Sequence, residues 1–224
     1  MLERRILHFP LNLSIGHLAI RRSNSNDDWR SLDDAVGSVE IPPNSDVKLE
    51  ISSIVSFDTS MLSGLNFDSL CELQWVSTSN VNDKNSSFLR SLTGLRGVAL
   101  WETPIGDFTL SCLGYLSNLR WLDIGDTEVT DHGLEYLRGL RSLRQLTLLN
   151  DRITDNGIFC LKGLYQLINL DLMNTSITDL SIDVLSTMTK LRHLRIFNTQ
   201  ITRAGFTQLN EALPQCTIRY HSSN

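Results

Sequence analysis

A 24-residue period of apolar residues constrains the fold of this 224-residue chain more than any other feature. The pattern of Leu119, Leu122 and Ile124 returns at Leu143 and Leu146, and again with each further period. Eight pairs of positions follow this period, with one residue inserted after Thr78. All sixteen positions are apolar or aromatic: Leu49/Ile51, Leu73/Trp75, Val98/Leu100, Leu122/Ile124, Leu146/Leu148, Leu170/Leu172, Leu194/Ile196 and Ile218/Tyr220. A unit of this size cannot bury its own apolar face, so the repeats must stack around one continuous core.

Each repeat divides into a strand half and a helix half. The first half alternates with the period of a strand, which predicts a parallel sheet with its leucines pointing inward. The second half has the three-residue apolar spacing of Leu134, Leu137 and Leu140, which predicts a short helix packed on the sheet. A helix is about 10 Å wide and strands lie about 4.8 Å apart, so the helices must form the convex side of a curved solenoid.

Two polar positions recur in most of the repeats. Oxygen-bearing side chains follow the strand, and we expect them to bond the turn backbone: Thr78, Thr103, Thr127, Asp151, Thr175 and Thr199. An aspartate precedes the helix half, which predicts a series of helix N-caps: Asp58, Asp83, Asp107, Asp131, Asp155 and Asp179. Arg203 replaces this aspartate in the last repeat, so the last helix is predicted to begin less firmly.

From about Asp46 to Tyr220 the chain resembles the leucine-rich repeat family, in its 24-residue form with an Ile-Thr-Asp-x-Gly-Leu convex half. The resemblance implies an α/β fold: a curved solenoid with a parallel sheet on its concave face and short helices on its convex face. It also implies a surface that recognises other proteins. That implication is an analogy, because a fold does not determine a function.

The ends of the chain depart from the repeat. We assign residues 46–224 to the solenoid, with about seven to eight strands, and residues 1–45 to a small β-rich cap over its apolar flank. Within the cap, Ser14–Ile20 and Gly37–Ile41 are predicted strands and Ser25–Leu32 a helical turn or two. A separate binding or catalytic domain is the alternative for this segment. At the other end, an uncovered edge strand is a possible site of self-association.

Composition and motifs exclude several classes of function. Lys plus Arg is 20 and Asp plus Glu is 25, a net charge of −5 with no long basic stretch, so no nucleic-acid partner is expected. No apolar run is long enough for a membrane helix or a signal peptide. Cys71, Cys112, Cys160 and Cys216 lack metal-ligand spacing, which predicts free thiols, buried or half-buried, in the reducing environment of the cytoplasm. No catalytic motif is present, so we expect neither enzyme activity nor a cofactor nor a metal.

The best candidate site is a column of residues that directly follow the strands. They are Ser52, Val76, Trp101, Gly125, Leu149, Met173, Phe197 and His221, and five of the eight are large and apolar. With the charged residues beside them they define a predicted partner-binding face: Val76, Trp101, Glu102, Asp123, Asp126, Leu149, Asp171, Met173, Arg195 and Phe197. Whether this column is an exposed contact strip or is partly buried against the following loop remains open.

The predicted function is a non-enzymatic protein–protein interaction module. Its partner would be another protein, and the carboxylates on the face favour one with a basic surface. Two alternatives remain: a regulatory subunit that inhibits or activates an enzyme, and a structural spacer that self-associates through its terminal edge strand.

Overall fold

The computed structural model describes residues 5–9, 16–51, 70–79 and 81–221. Ser14, Ser52 and Asp58, which the sequence patterns include, lie outside these residues. The strands are β1 (Arg5–His8), β2 (His17–Arg22), β3 (Arg30–Asp34), β4 (Ser38–Ile41), β5 (Ser45–Ile51), β6 (Glu72–Trp75), β7 (Gly97–Ala99), β8 (Trp121–Asp123), β9 (Gln145–Thr147), β10 (Asn169–Asp171), β11 (His193–Arg195) and β12 (Thr217–Arg219).

The helices are all short. They are α1 (Asp107–Leu113), α2 (Asp131–Leu134), α3 (Asp155–Cys160), α4 (Ile182–Ser186) and α5 (Arg203–Ala212), with 3₁₀ helices at Ser86–Ser91, Glu135–Gly139 and Asp179–Ser181. Within the described residues, none of them has the length and apolar character required to cross a bilayer.

Strands β5 to β12 lie side by side in chain order and all pair in parallel. Leu122 pairs with Leu146, Leu146 with Leu170 and Leu170 with Leu194, so each strand is displaced by one 24-residue period. The predicted repeat register and the leucine-rich repeat solenoid are therefore confirmed.

The core is continuous through the repeats. Fourteen of the sixteen predicted strand positions are buried, and only Ile218 and Tyr220 are half-buried. Those two lie on β12, which pairs only with β11 among the described residues, so no later repeat stacks on them. The turn threonines behave as predicted: the hydroxyl of Thr127, for example, donates to the Ile124 carbonyl at 2.8 Å. Thr103, Thr175 and Thr199 make the same bond.

The predicted role of the recurring aspartates as N-caps is wrong. The N-cap residues of α2 and α3 are Thr130 and Thr154, whose hydroxyls accept from backbone amides inside the helix. The aspartates within the described residues instead reach the following repeat: Asp131 accepts from the backbone N–H of Thr154 at 2.8 Å and from its hydroxyl. Asp107, Asp155 and Asp179 make equivalent bonds to Thr130, Thr178 and Thr202. The aspartates therefore tie neighbouring repeats together.

The prediction of a weak start for the last helix is also wrong. α5 is the longest described helix at ten residues, and its N-cap Thr202 accepts from the Gly205 amide. Asp179 of the preceding repeat accepts from the Thr202 amide and hydroxyl. The helix start is thus held by the repeat before it, so an aspartate at the position of Arg203 is not needed for α5 to begin firmly.

The described residues of the N-terminal segment form four strands. β1 pairs antiparallel with β4, while β2 pairs antiparallel with both β5 and β3 and extends the large sheet. Leu7, Leu18 and Ile41 are buried in the same core as Leu49 of the first repeat. These buried residues of the segment therefore belong to the same apolar core as the first repeat.

The helical turn predicted for Ser25–Leu32 is wrong. Arg30–Asp34 is strand β3, paired with β2, and the residues before it are a loop. Leu32 is the one apolar residue of β3, so a helix here would bury little, and pairing with β2 overrides local propensity. Trp29 is covered by the Arg21 guanidinium, 4.4 Å from its ring centroid.

Candidate functional site

The concave face consists of three columns of side chains that cross strands β6 to β11. Two of the columns flank the buried residue at the centre of each strand, because successive strand residues point to opposite faces. The third, here named the turn column, follows the second buried residue of each repeat. The turn column comprises Val76, Trp101, Gly125, Leu149, Met173 and Phe197.

The five large residues of the turn column are half-buried. Their exposure is therefore intermediate between an exposed contact strip and a buried column: each side chain is packed in part on its neighbours and in part open to solvent. Gly125 does not interrupt the column: a Cβ atom there would lie 3.2 Å from the Trp101 ring and 3.2 Å from Leu149 Cβ. At the far end, the Phe197 ring lies 5.3 Å from that of His221. The column is thus closed between Trp101 and Leu149, where it has no side chain of its own.

Asp126 and Glu102 lie beside this column in the turns. Asp126 uses both carboxylate oxygens: Oδ2 accepts from Trp101 Nε1 at 3.0 Å, and Oδ1 accepts from the Asn150 amide at 2.6 Å. Glu102 is exposed and accepts from the Ser77 hydroxyl at 2.5 Å. Asp126 therefore orients the indole of Trp101, while Glu102 presents a negative charge at the rim.

An asparagine ladder continues along the same turns, and the sequence patterns above did not include it. Asn150, Asn174 and Asn198 have positive φ angles of 60°, 57° and 53°, a conformation that asparagine tolerates better than most residues. The amide of Asn198 donates to Asn174, and that of Asn174 to Asn150. The sequence could have indicated this ladder, because an asparagine recurs at the same position of three consecutive repeats. This ladder holds the turns that carry the turn column.

Asp123, Asp171 and Arg195 share the column at the third residue of each strand. Burial raises the pKa of Asp123, against the hydrogen bond from the Gly125 amide. Asp171 is buried, and its Oδ2 lies 2.9 Å from Arg195 Nη1. The structure thus brings together two predicted site residues as an ion pair, which reduces the net negative charge of this part of the face.

Trp121 is a concave residue absent from the predicted site. It is half-buried, and its indole occupies the space over Gly97 of the neighbouring strand, where a Cβ would lie 2.0 Å from Trp121 Cε2. Its side chain also hydrogen-bonds Glu72, whose pKa is raised by burial. The alternation of β8 could have identified it, because Trp121 and Asp123 flank the buried Leu122. The face therefore presents a second tryptophan, at the start of β8.

The part of the face nearer the C-terminus is polar. A cavity of about 440 Å³ is lined there by Thr147, Asn169, Asp171, His193, Arg195 and Arg219, among others. The concave face is thus aromatic and acidic around β7 and β8, and rich in arginine and histidine around β11 and β12.

Reactive groups are few in the part of the chain that the structure describes. No cluster of three or more His, Cys, Asp or Glu residues within it could hold a metal ion. All four cysteines are buried and free, as the sequence predicted. Burial, with the nearby charges of Asp46 and Glu72, raises the pKa of Cys71 to about 12, so its thiolate is scarce at neutral pH. What the face offers is contact area and hydrogen-bonding groups.

Parallel strands repeated every 24 residues, with short helices on the opposite side, define the leucine-rich repeat fold, and this chain has that fold. Internalin C2 of Listeria monocytogenes has a similar structure, with 19% identity and a TM-score of 0.62 over 78% of this chain and 80% of that one. A leucine-rich repeat protein of Leptospira interrogans has 16% identity and a TM-score of 0.61 over 77% of this chain and 48% of that one.

A third similar structure is the ectodomain of the Arabidopsis thaliana receptor kinase GASSHO1/SCHENGEN3, in complex with Casparian strip integrity factor 2. It has 19% identity and a TM-score of 0.55 over 91% of this chain and 25% of that one. The chain thus spans only about half of the Leptospira protein and a quarter of the receptor ectodomain. No family model and no curated protein sequence matches the chain.

Proposed function

We propose that this protein is a non-enzymatic interaction module that binds another protein across its concave face. The observation that carries the proposal is the half-buried turn column, which leaves part of several large apolar side chains in solvent beside Trp121. Apolar and aromatic surface rimmed by charge is characteristic of protein interfaces. The receptor ectodomain of similar fold, solved in complex with another factor, supports the same class of function by analogy.

The proposed footprint runs from Val76 on the β6 side to Phe197 on the β11 side. It crosses five strand spacings, about 24 Å, which is enough for one helix or loop of a partner. Aromatic side chains dominate interface energies, so Trp101 and Phe197 are the proposed anchors. Leu149 and Met173 lie between these anchors and complete the apolar strip.

The charges around the footprint favour a partner with a basic surface. Glu102, Asp123 and Asp126 lie near the aromatic end of the face, whereas the charge of Asp171 is offset by Arg195. Complementary charge mainly accelerates association and selects the partner. We therefore expect the affinity to fall as the salt concentration rises.

The two other functions fit the structure in different ways. A regulatory subunit would use the same face, with an enzyme as its partner. A spacer would instead need β12 to pair with another copy, but β12 has three residues, and its Thr217 and Arg219 are exposed. Short, charged edges disfavour such pairing, so we favour recognition. Buried free thiols are typical of a reducing compartment, and we propose the cytoplasm.

The test is the double variant Trp101→Ala/Phe197→Ala. The wild-type protein captures partners from native lysate, mass spectrometry identifies them, and titration calorimetry then measures the affinity of a purified partner. The double variant should melt within a few degrees of wild type and bind about 800-fold more weakly or worse, since two anchors worth about 2 kcal/mol each together lose about 4 kcal/mol.

The matched control is Tyr136→Ala/Phe159→Ala, which removes two exposed aromatic residues of the convex side. It should bind like wild type. If the concave variant unfolds while the remaining folded fraction still binds, those side chains belong to the core and the proposed face is wrong.

A further inference from the structure

A row of arginines lies at the edge of the sheet where the strands begin, away from the turn column. Arg96, Arg120 and Arg144 directly precede β7, β8 and β9, and we name them the arginine row. The amide of Arg120 donates to the Arg96 carbonyl and that of Arg144 to the Arg120 carbonyl, both at 2.7 Å. The three residues are therefore in register, about 4.8 Å apart from strand to strand.

The positive charge of this row is poorly compensated. The loops that lead into the three strands, residues 93–96, 117–120 and 141–144, contain four arginines and no carboxylate. Arg96 lies 3.1 Å from the buried Asp46, which also pairs with Arg21. Arg120 and Arg144 are exposed, and neither forms an ion pair with any residue that the structure describes. Like charges on adjacent strands oppose folding, so an anionic ligand here would relieve a repulsion.

We propose that the arginine row binds an acidic helix of a partner protein. Carboxylates at positions i, i+3 or i+4, and i+7 lie on one helix face and advance about 10.5 Å along its axis. The row spans two strand spacings, about 9.6 Å, so one carboxylate can meet each arginine. On an extended strand, residues of one face are about 6.6 Å apart and would fall out of step with the arginines.

The guanidinium group also suits this ligand, since its donors match both oxygens of a carboxylate. The length of the site is limited on both sides. Ile168 occupies the next position of the row after Arg144, and the exposed Asp27 and Asp28 follow β2 at the cap end of the same edge. The site therefore accommodates about two helical turns, on a different surface from the concave face.

The test uses fluorescence anisotropy with a labelled helical peptide of about 20 residues that carries glutamate at i, i+3, i+4 and i+7 on one face. The intact protein should bind it with an affinity that falls as salt rises. The variant Arg120→Ala/Arg144→Ala should bind at least 10-fold more weakly. The control Arg152→Ala/Arg203→Ala removes the same charge from exposed arginines outside the row and should bind within about twofold of wild type.

Three further measurements can overturn the proposal. A peptide of the same composition with its glutamates spread around the helix should bind at least fivefold more weakly, and equal binding would contradict recognition by spacing. A 20-nucleotide single-stranded RNA that bound more tightly than the peptide through the same arginines would point to nucleic acid instead. A salt-sensitive dimer in sedimentation velocity, lost in the double variant, would assign the row to a second copy of this chain.

Discussion

Asp151 provides the sharpest test of how the turn position works. It occupies the position of the turn threonines, and its Oδ1 accepts from the amide and the hydroxyl of Thr127, both at 3.0 Å. Its Oδ2 is buried and has no hydrogen-bond partner within the described residues. Burial, with the charges of Asp126 and Asp123, raises the pKa of Asp151 from 3.8 to about 7. The folded state is therefore more stable when the Asp151 carboxyl group is protonated than when it is ionised.

The magnitude follows from this pKa. An elevation from 3.8 to about 7 corresponds to about 4 kcal/mol between the protonated and ionised forms. The penalty is absent below the unfolded-state pKa of about 4 and complete above about 7, so it grows as the pH rises between them. Replacing Asp151 by threonine removes the charge. The substitution also removes the acceptor of the Thr127 amide, which costs about 1–3 kcal/mol at every pH. The melting temperature should therefore rise by roughly 2–12 °C at pH 8 relative to wild type, and should not rise at pH 4.

Thermal melts followed by circular dichroism at pH 4, 6 and 8 measure this difference. The matched control is Thr175→Asp, which places a carboxylate in the same position of the next repeat, where Thr175 is 5% exposed. That variant should lose stability at pH 8 and lose much less at pH 4. A gain for Asp151→Thr that is equal at all three pH values would refute the reasoning, because the charge would then not be its source.

Two further predictions concern contacts between repeats and the cap. Asp131→Ala leaves the Thr154 amide without its acceptor and should lower the free energy of unfolding in urea by about 1–3 kcal/mol. Arg203→Ala changes the same position of the last repeat and should lower it by less than about 0.5 kcal/mol. Similar losses in both variants would contradict the role of the aspartates in tying neighbouring repeats together. Deleting residues 1–45 removes β2 from its pairing with β5. The shortened protein should aggregate in light scattering or bind a hydrophobic dye in fluorescence measurements. A soluble monomer with unchanged thermal stability would instead indicate that residues 1–45 form an independent module.

The repeat register was predictable from the sequence because the same apolar pattern occurs independently in each repeat. Leu122, Leu146, Leu170 and Leu194 recur at one spacing and are at most 1% exposed, so no single ambiguous residue could shift the strands. The turn threonines were predictable for a related reason, since each bonds a carbonyl three residues away in its own repeat. Features that are local to one repeat, or that recur with its period, could thus be predicted from the sequence.

Contacts between repeats could not be predicted from the sequence in the same way. Asp131 and Thr154 are 23 positions apart, and the direction of the carboxylate is set by the stacking of the two repeats. The alternation of β8 places Trp121 on the concave face, but the packing of its indole over Gly97 of the neighbouring strand could not be read from its own repeat. Strand β3 carries one apolar residue, Leu32, and exists through its pairing with β2. Each of these features depends on a partner that no single repeat contains.

The proposed binding face can be tested most directly by hydroxyl-radical footprinting of the protein with and without its captured partner. Oxidation of aromatic side chains, read by mass spectrometry, compares two sets within one molecule. Binding across the concave face should protect Trp101, Trp121 and Phe197 severalfold and leave Tyr115, Tyr136 and Phe159, exposed on the convex side, unchanged. Protection of the three convex residues, with Trp101 and Phe197 as accessible as in the free protein, would contradict the account.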